Sequence, residues 1–400
     1  MANKRKVKDF LMRLVTYLGA AFSLFFLTVT LIYIVSNGAG LINLGLFTGD
    51  YHARYYGGRT ESESSCIECS EPETYKGFYS PKYGIALYDD YDRAGNVVIR
   101  VSYVDAHSPF SLMQDTNNPS QTASLSIDDV VTRIAYYDQP SALTRNGAEM
   151  MILSLESSED IREITFATLG GGIRGSLITT LYLIGLSLMF AIPTGILTAI
   201  YFAEFAPVNR LTNLMRSFIE TLTGVPSIIY GLLGITVFIP ITVRLNLSEG
   251  PNLFAGAMTM AVILLPVVIR TTEESLKSIP KSYRHASLAL GANYTQTVRK
   301  VVLPNALPGI MTATFLAIGR IIGESAALIF VLGTAVKDRV RVTESSTTLS
   351  VHIWSVMTDE PANIELASSI ALIILVIVLI LNIGVKYMSY VINKKFRGVV

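Results

Sequence analysis

Two charged residues, Arg320 and Glu324, lie inside an apolar stretch of the sequence that reads AIGRIIGESA. A charge at the centre of a membrane-spanning helix costs about 2.5–3.5 kcal/mol, so two charges in one span indicate a functional site. The guanidinium of Arg320 suits an oxyanion, because its fork of N–H donors pairs with two oxygens at once. The alternative is an ion pair with a structural role only.

The spacing of these residues predicts how they are arranged. Arg320 and Glu324 are four residues apart, so both would lie on one helix face, with Glu324 holding the arginine when no anion is bound. Gly319 and Gly323 flank them at the small-xxx-small spacing that lets two membrane helices approach closely. We therefore expect the charged pair to face the interior of a helix bundle.

Cys66 and Cys69 form a C-x-x-C pair in a stretch rich in Ser and Glu. A local disulfide would fit this spacing outside the cell, and two unpaired thiols are the alternative. A zinc site needs further ligands, and no second Cys/His pair is close in the sequence, so no metal is predicted. A redox function needs a βαβ context that we do not find.

Several function classes are excluded by the sequence. It contains no G-x-x-x-x-G-K-[ST] loop for ATP, no nucleophile elbow and no H-E-x-x-H zinc motif. We therefore expect neither an ATPase nor another enzyme, no catalytic residues and no cofactor in this chain. The net charge of +1 provides no basic field for a nucleic acid.

The apolar stretch around the charged pair is one of several segments that could cross a membrane. Only 16% of the residues are charged, against about 25% in soluble domains, and a span needs about 20 mostly apolar residues. The segments of this kind are Phe10–Val35, Leu177–Phe205, Phe218–Val243, Leu253–Ile269, Ile310–Thr334 and Leu366–Val391. We predict an all-α polytopic membrane protein with about six transmembrane helices. A cleaved signal peptide is the alternative for the first segment, although its apolar run exceeds the usual length of about 7–15 residues.

Basic residues cluster before the first predicted span, after the last one and in the loop 270–300. An even number of spans places these three regions on one side of the membrane. The positive-inside rule then predicts that both termini and this loop are cytoplasmic. Lys337, Arg339 and Arg341 fall on the other side and weaken the trend without reversing it.

The segment 49–172 would then lie outside the cytoplasm. It is acidic, rich in Tyr and Ser, and has no run long enough to span a membrane. Alternating apolar residues and turn residues predict strands at Gly84–Tyr91, Val97–Val104, Thr122–Ser126, Val130–Tyr137 and Glu149–Leu155. We predict an inserted extracytoplasmic, mainly β domain.

The domain organisation follows from these elements. Residues 1–48 would hold the cytoplasmic N-terminus and the first transmembrane helix, and residues 49–172 the inserted domain. Residues 173–400 would form a core of five transmembrane helices that contains the loop 270–308.

The loop 270–308 has the pattern of two helices joined at a corner. Pro280 is suited to start the first helix, and Gly291 to end it in a left-handed C-cap. The second amphipathic helix, Tyr294–Leu303, would end before Pro304. A surface helix of this kind can seat in a groove of another protein. The alternative is an ordinary connection between two spans.

This loop resembles the "EAA" loop of ABC-importer permeases. His285-Ala286-Ser287, Gly291 and the terminal Val301–Pro304 occur at the spacing of that family, although His285 stands where the family has Glu. The resemblance implies a coupling helix that docks into an ATPase subunit. The docking residues that it implies are His285, Ala286, Ser287, Leu290 and Gly291.

The region 171–395 resembles the permeases of phosphate-specific (Pst) ABC importers. The resemblance rests on Arg320-x-x-Gly-Glu324-Ser-Ala, on TGVPSI at 223–228 and on VIRTTE at 268–273. Residues 324–328 are more similar to the PstA subunit than to PstC. The resemblance implies inorganic phosphate as the substrate and a path lined by Arg320, Glu324 and Arg270. For Arg270 the alternative is a cytoplasmic-end arginine that follows the positive-inside trend.

The resemblance also implies a location and partners. These are a bacterial inner membrane, an ATPase dimer that binds ATP and Mg, a second homologous permease subunit and an extracytoplasmic phosphate-binding protein. Transport would proceed by alternating access. The alternatives are a permease for molybdate or sulfate, a PstC-type subunit, and a membrane receptor with an external sensing domain.

Overall fold

The computed structural model describes residues 2–60, 66, 69, 71–92, 95–116, 122–168, 170–358 and 362–397. The chain forms two compact units, one made of residues 1–48 and 173–400 and the other of residues 49–172. We call the first the membrane unit and the second the sheet unit.

Most of the described residues are helical. In chain order the α-helices are α1 (Ala2–Gly38), α2 (Leu44–Thr48), α3 (Gly147–Ser157), α4 (Arg174–Ile200), α5 (Arg210–Thr223), α6 (Ser227–Leu233), α7 (Ile239–Arg244), α8 (Leu253–Lys277), α9 (Lys281–Ala289), α10 (Tyr294–Thr297), α11 (Leu303–Gly323), α12 (Ala326–Leu332), α13 (Leu349–Thr358) and α14 (Ile364–Arg397). Three π-helical turns, Tyr201–Phe205, Gly234–Phe238 and Val298–Val302, extend or join these helices.

Within the described residues, 6 helical segments are long and apolar enough to cross a membrane, which confirms the predicted number of spans. They are Asp9–Leu41, Arg174–Phe205, Ser227–Arg244, Leu253–Lys277, Tyr294–Gly323 and Ile364–Met388. The membrane unit is therefore a polytopic helical bundle.

Helix α8 is the most buried of these spans and packs against α4 and α11. Gly195 of α4 makes part of this packing possible, because a Cβ atom there would lie 2.6 Å from Cγ1 of Val268. Met260, Leu264 and Ile321 are buried in the same core. The burial of apolar side chains around α8 therefore holds the bundle together.

Two predicted spans, Phe218–Val243 and Ile310–Thr334, have the wrong bounds because each crosses a break in the helix. Helix α5 ends at Thr223, and α6 begins after Pro226, whose backbone is extended. Helix α11 ends at Gly323, and Glu324 is extended with ψ 125°. Non-helical backbone at membrane depth is tolerated where protein or a water-filled cavity surrounds it.

The predicted end of a helix before Pro304 is also wrong, since the chain stays helical from Tyr294 to Gly323. Pro304 lies in the first turn of α11 and is preceded by the π-helical turn Val298–Val302. Proline lacks an N–H donor, and a π-turn is one way to accommodate the altered hydrogen-bond pattern.

The sheet unit contains one nine-stranded sheet, and every described strand pairing is antiparallel. The strands are β1 (Tyr55–Arg59), β2 (Phe78–Ser80), β3 (Ile85–Tyr91), β4 (Val97–Val104), β5 (Met113–Asp115), β6 (Thr122–Ala123), β7 (Val130–Tyr136), β8 (Ala142–Leu143) and β9 (Ile161–Ala167). Their order is β2-β3-β4-β7-β9-β1-β5-β6, with β8 on β7. The predicted mainly β character is confirmed.

The strand predicted at Glu149–Leu155 is wrong, because this segment is part of helix α3. Ala148, Met151, Ile152 and Leu155 are buried, which is the i, i+3, i+4, i+7 spacing of a helix face. Glu, Met and Leu also favour helix over strand. The segment therefore packs on the sheet as a helix.

Each unit closes its own chain ends with backbone hydrogen bonds. In the membrane unit, the N–H of Ile173 donates to the carbonyl of Leu46 at 2.8 Å. In the sheet unit, the N–H of Gly172 donates to the carbonyl of Asp50 at 3.0 Å. The points where the chain leaves and re-enters the membrane unit are therefore adjacent.

Candidate functional site

The two helix breaks of the membrane unit bring their half-helices together. Helices α6 and α12 pack against each other, and Gly231 of α6 lies against the backbone of Ala327. A Cβ atom at Gly231 would lie only 2.9 Å from the carbonyl oxygen of Ala327. The sequence motifs around Gly224 and Glu324 therefore belong to one region of irregular backbone.

The structure places Arg320 in the last turn of α11 and Glu324 one residue past its end. The predicted shared helix face is wrong, because Glu324 has left the helix. Its carboxylate accepts a hydrogen bond from the N–H of Ala327 at 3.3 Å, and its carbonyl accepts one from Ser350. Within the part of the chain that the structure describes, no ion pair joins Arg320 to Glu324. The half-buried guanidinium of Arg320 thus retains donors for another group.

Gly319 and Gly323 face open space next to this arginine. A Cβ atom at either position would have no heavy atom within 4 Å. The close helix approach predicted for these glycines is therefore not made within this chain. The open surface beside Arg320 leaves room for a ligand or a second subunit.

Arg270 is exposed near the far end of α8 and pairs with Glu274 at 3.0 Å. It lines a cavity of about 140 Å³ together with Arg216, Glu220 and Glu273. The structure does not bring Arg270 and Arg320 into contact among the ion pairs and hydrogen bonds of the described residues. Its predicted role in the anion path stays a prediction.

The predicted surface helix is confirmed as α9, which begins after Pro280. Gly291 has φ +85°, the left-handed conformation predicted for its C-cap. His285 and Ala286 are exposed, and Leu290 is 90% exposed. Ser287 is instead buried, and its hydroxyl lies 2.9 Å from that of Thr297. Helix α9 therefore presents one free face and fixes the other to the membrane unit.

Glu204, which pairs with Arg284 of α9, is a residue that the sequence did not predict. Glu204 lies in the π-helical turn that ends the second span. An acidic residue at the end of an apolar segment is a signal that could have found it. Its partner could not be identified, because the two residues are 80 positions apart.

At the opposite end of α8, a crevice of about 1,020 Å³ opens between the loops 246–251 and 333–345. Its lining is rich in hydroxyl groups and includes Lys337 and Glu344. These two side chains pair at 3.4 Å, and Arg341 also pairs with Glu344. The crevice therefore offers polar groups at the end of the bundle that is remote from α9.

Cys66 and Cys69 are joined by a disulfide in the sheet unit. Asp105 is the nearest further group that could hold a metal ion. Because the disulfide occupies both sulfur atoms, they are not available as thiolate ligands. The bridge closes a short local loop.

Comparison with known proteins gives the family of the chain. Residues 191–398 match the family described as "Binding-protein-dependent transport system inner membrane component". The chain is 35% identical to the probable ABC transporter permease protein YqgI of Bacillus subtilis over 57% of this chain and 81% of that protein. It is 28% identical to the phosphate transport system permease protein PstA 1 of Mycobacterium tuberculosis H37Rv, over 60% of this chain and 77% of that protein.

Among solved structures, the chain is similar to the MetNI methionine ABC transporter in inward-facing conformations. The identity is 24%, the TM-score is 0.44, and the match covers 55% of this chain and 95% of that chain. The match to the family over residues 191–398 and the relationship to YqgI are decisive. This chain belongs to the family of binding-protein-dependent transport system inner membrane components and is a permease subunit of an ABC importer.

Proposed function

We propose that this chain is a PstA-type permease subunit that moves inorganic phosphate into the cell. The observation that carries the proposal is the half-buried guanidinium of Arg320, which stands at the break between α11 and α12 beside an open surface. A guanidinium in a site of low dielectric attracts an oxyanion and binds two of its oxygens at once. The similarity to PstA proteins names phosphate among the oxyanions.

Glu324 has a different role in this proposal from the one that its spacing suggested. Its carboxylate fixes the first turn of α12 and so stabilises the break that exposes Arg320. A carboxylate near the site also limits the affinity for an anion, which a transporter must release again. Arg270 lies toward the C-terminal end of α8 and would meet the anion as it leaves the bundle.

The proposal assigns the partners of the chain. Two ATPase subunits bind ATP and Mg, and one of them receives the free face of α9 through His285, Ala286 and Leu290. A second homologous permease subunit covers the open surface beside Gly319 and Gly323. An extracytoplasmic phosphate-binding protein delivers the anion to the crevice between the loops 246–251 and 333–345.

The proposal also fixes the orientation. The positive-inside trend places α9 and both termini in the cytoplasm. The crevice at the start of α8 and the sheet unit then face the outside. Alternating access would move the Arg320 site from one side to the other while the partner ATPases hydrolyse ATP.

The test is anion-dependent ATP hydrolysis by the reconstituted complex with its binding protein. We expect phosphate to stimulate hydrolysis and uptake, and sulfate and molybdate to have no effect. Arg320→Lys, which keeps the charge but loses the fork, should retain less than half of the uptake. Stimulation by sulfate or molybdate would reassign the substrate. Purification of the chain without an ATPase and without flux would favour a receptor instead.

A further inference from the structure

We infer that Glu204 is a positioning residue that ties the coupling helix α9 to the second span, so that the two move as one body. The inference rests on the proposed docking of an ATPase to α9. Glu204 and Arg284 are 80 positions apart, and the carboxylate accepts from both Nε and Nη2 of the guanidinium. The Glu204 side chain is 2% exposed and that of Arg284 is 14% exposed.

The same carboxylate binds a third element. The hydroxyl of Tyr294, at the start of α10, donates to Glu204 Oε2 at 2.9 Å and lies 3.1 Å from the carbonyl oxygen of Glu204. The ring of Tyr294 also packs edge-on against Phe205 at 5.6 Å. Glu204 therefore connects the second span to both helices of the loop, and both of its carboxylate oxygens accept from donors of the protein.

Arg284 extends this network to the end of α8. Its Nη2 donates to the carbonyl of Leu276 at 3.0 Å, and its Nη1 to that of Ile279 at 2.9 Å. These carbonyls lie at or beyond the C-terminal turn of α8, where the regular hydrogen bonds of the helix end. One arginine thus joins α9, α8 and the second span.

The position of Glu204 follows from the π-helical turn Tyr201–Phe205. The N–H of Ala206 donates to the carbonyl of Tyr201 at 2.7 Å, so the last turn of the span is one residue wider than an α-turn. Arg216 donates to the carbonyl of Phe202 and lies over its ring at 5.6 Å. The turn is therefore held on a second side as well.

This arrangement determines to which helices a displacement of α9 is transmitted. The short connection between α8 and α9, residues 278–280, could bend, but Arg284 bridges it. A largely buried ion pair in which the arginine makes four hydrogen bonds resists separation, because either partner alone would leave an unpaired charge. A displacement of α9 by an ATPase is therefore passed to the second span through the Glu204 carboxylate.

The first experiment is independent of substrate and partner. Both native cysteines form a disulfide, so labelled cysteines at Tyr201 and Lys281 report on the second span and α9 in the purified full chain. We expect dipolar EPR to give one narrow distance distribution. Glu204→Gln should widen it at least twofold, and Tyr294→Phe should widen it less. An unchanged width in Glu204→Gln would overturn the inference.

The second experiment uses the reconstituted complex. Glu204→Gln should retain the ATPase on co-purification but transport about tenfold less phosphate per ATP hydrolysed. Glu204→Asp should recover most of this ratio of phosphate transported to ATP hydrolysed. Asp90→Asn, which removes an ion pair with Arg100 in the sheet unit, is the control and should leave it unchanged. A normal ratio in Glu204→Gln would contradict the inference. Wild type that hydrolyses ATP but ignores phosphate would contradict the proposed substrate, while the EPR result would still decide the inference.

Discussion

Two arginines of the membrane unit, Arg320 and Arg284, have opposite surroundings. Arg284 makes four hydrogen bonds, two to Glu204 and two to backbone carbonyls, and its side chain is only 14% exposed. Arg320 is half-buried beside two glycines that face open space, and the nearby Glu324 uses its carboxylate on Ala327 instead. One guanidinium is held by the fold, and the other forms no ion pair within the part of the chain that the structure describes.

In the proposed function, this difference would let similar residues serve stability and transport in one bundle. A buried charge is stable only when a partner neutralises it, so the Arg284 cluster is fixed. A transport site needs the reverse, because a donor that is already satisfied inside the protein has nothing to offer an anion. Substitutions test this contrast, beginning with the largest expected effect.

The substitution Arg284→Ala should destabilise the chain by about 3–5 kcal/mol, because it leaves the Glu204 carboxylate buried without its cation. The measurement is thermal or denaturant unfolding of the purified protein in detergent. The double variant Glu204→Leu/Arg284→Met should recover most of the loss, since it removes both charges. A double variant as unstable as the single one would show that shape, and not charge, dominates this cluster.

The substitution Arg320→Ala should reduce phosphate uptake about 100-fold, which corresponds to a loss of about 2.7 kcal/mol when the half-buried cation that pairs with the anion is removed. The melting temperature should stay close to that of wild type, because no ion pair with Glu324 is broken. Phosphate uptake in proteoliposomes tests the predicted loss of transport, and a melting curve tests the predicted stability. A large drop in stability with normal uptake would place Arg320 in the same class as Arg284.

Gly291→Val should cost about 1–2 kcal/mol, because a β-branched residue is strained at φ +85°. The surrounding space is empty, so the effect comes from the backbone alone. We expect weaker co-purification of the ATPase, because the end of α9 is displaced. Gly291→Asn, which tolerates this conformation better, is the matched control. Equal ATPase binding by both variants would argue against a docking role for this corner.

Asp129 extends the contrast to a buried acid of the sheet unit. Burial raises its pKa to about 6, against the opposing hydrogen bond from the Ser126 N–H. The folded state therefore holds the proton more tightly than the unfolded one, whose pKa is 3.8. The contribution of protonated Asp129 to the free energy of unfolding is fully present below about pH 4, and it is lost as the pH rises through about 6.

Asp129→Asn should therefore stabilise the protein above pH 6 by at most about 1 kcal/mol after allowance for solvent screening. The asparagine oxygen can still accept from Ser126. The measurement is the difference in unfolding free energy between variant and wild type from pH 4 to pH 8. A difference that does not change over this range would contradict the raised pKa.

Much of the membrane unit could be predicted from the sequence because length and hydropathy define a span. The breaks at Pro226 and Glu324 could not, since proline and glycine also occur inside unbroken membrane helices such as α4 with Pro193. The period of its short apolar run alone does not distinguish helix α3 from a strand, because such a run fits both periods. The helix propensity of Glu, Met and Leu and the packing on the sheet favour the helix.

The candidate site was predicted in part. The left-handed conformation of Gly291 and the helix before it follow from local sequence preferences. Arg320 can be singled out because a charged residue inside an apolar segment costs insertion free energy. The cluster of Glu204, Arg284 and Tyr294 depends on contacts between residues far apart in the chain. Local spacing contains no information on such contacts.

The hydrogen bond between Ile173 and Leu46 has a consequence for how the chain can be divided. Because this bond holds the two ends of the membrane unit next to each other, a short linker could join residue 48 to residue 173 and leave the order of the spans intact. The sheet unit is therefore an insertion that interrupts the sequence of the membrane unit without interrupting its fold.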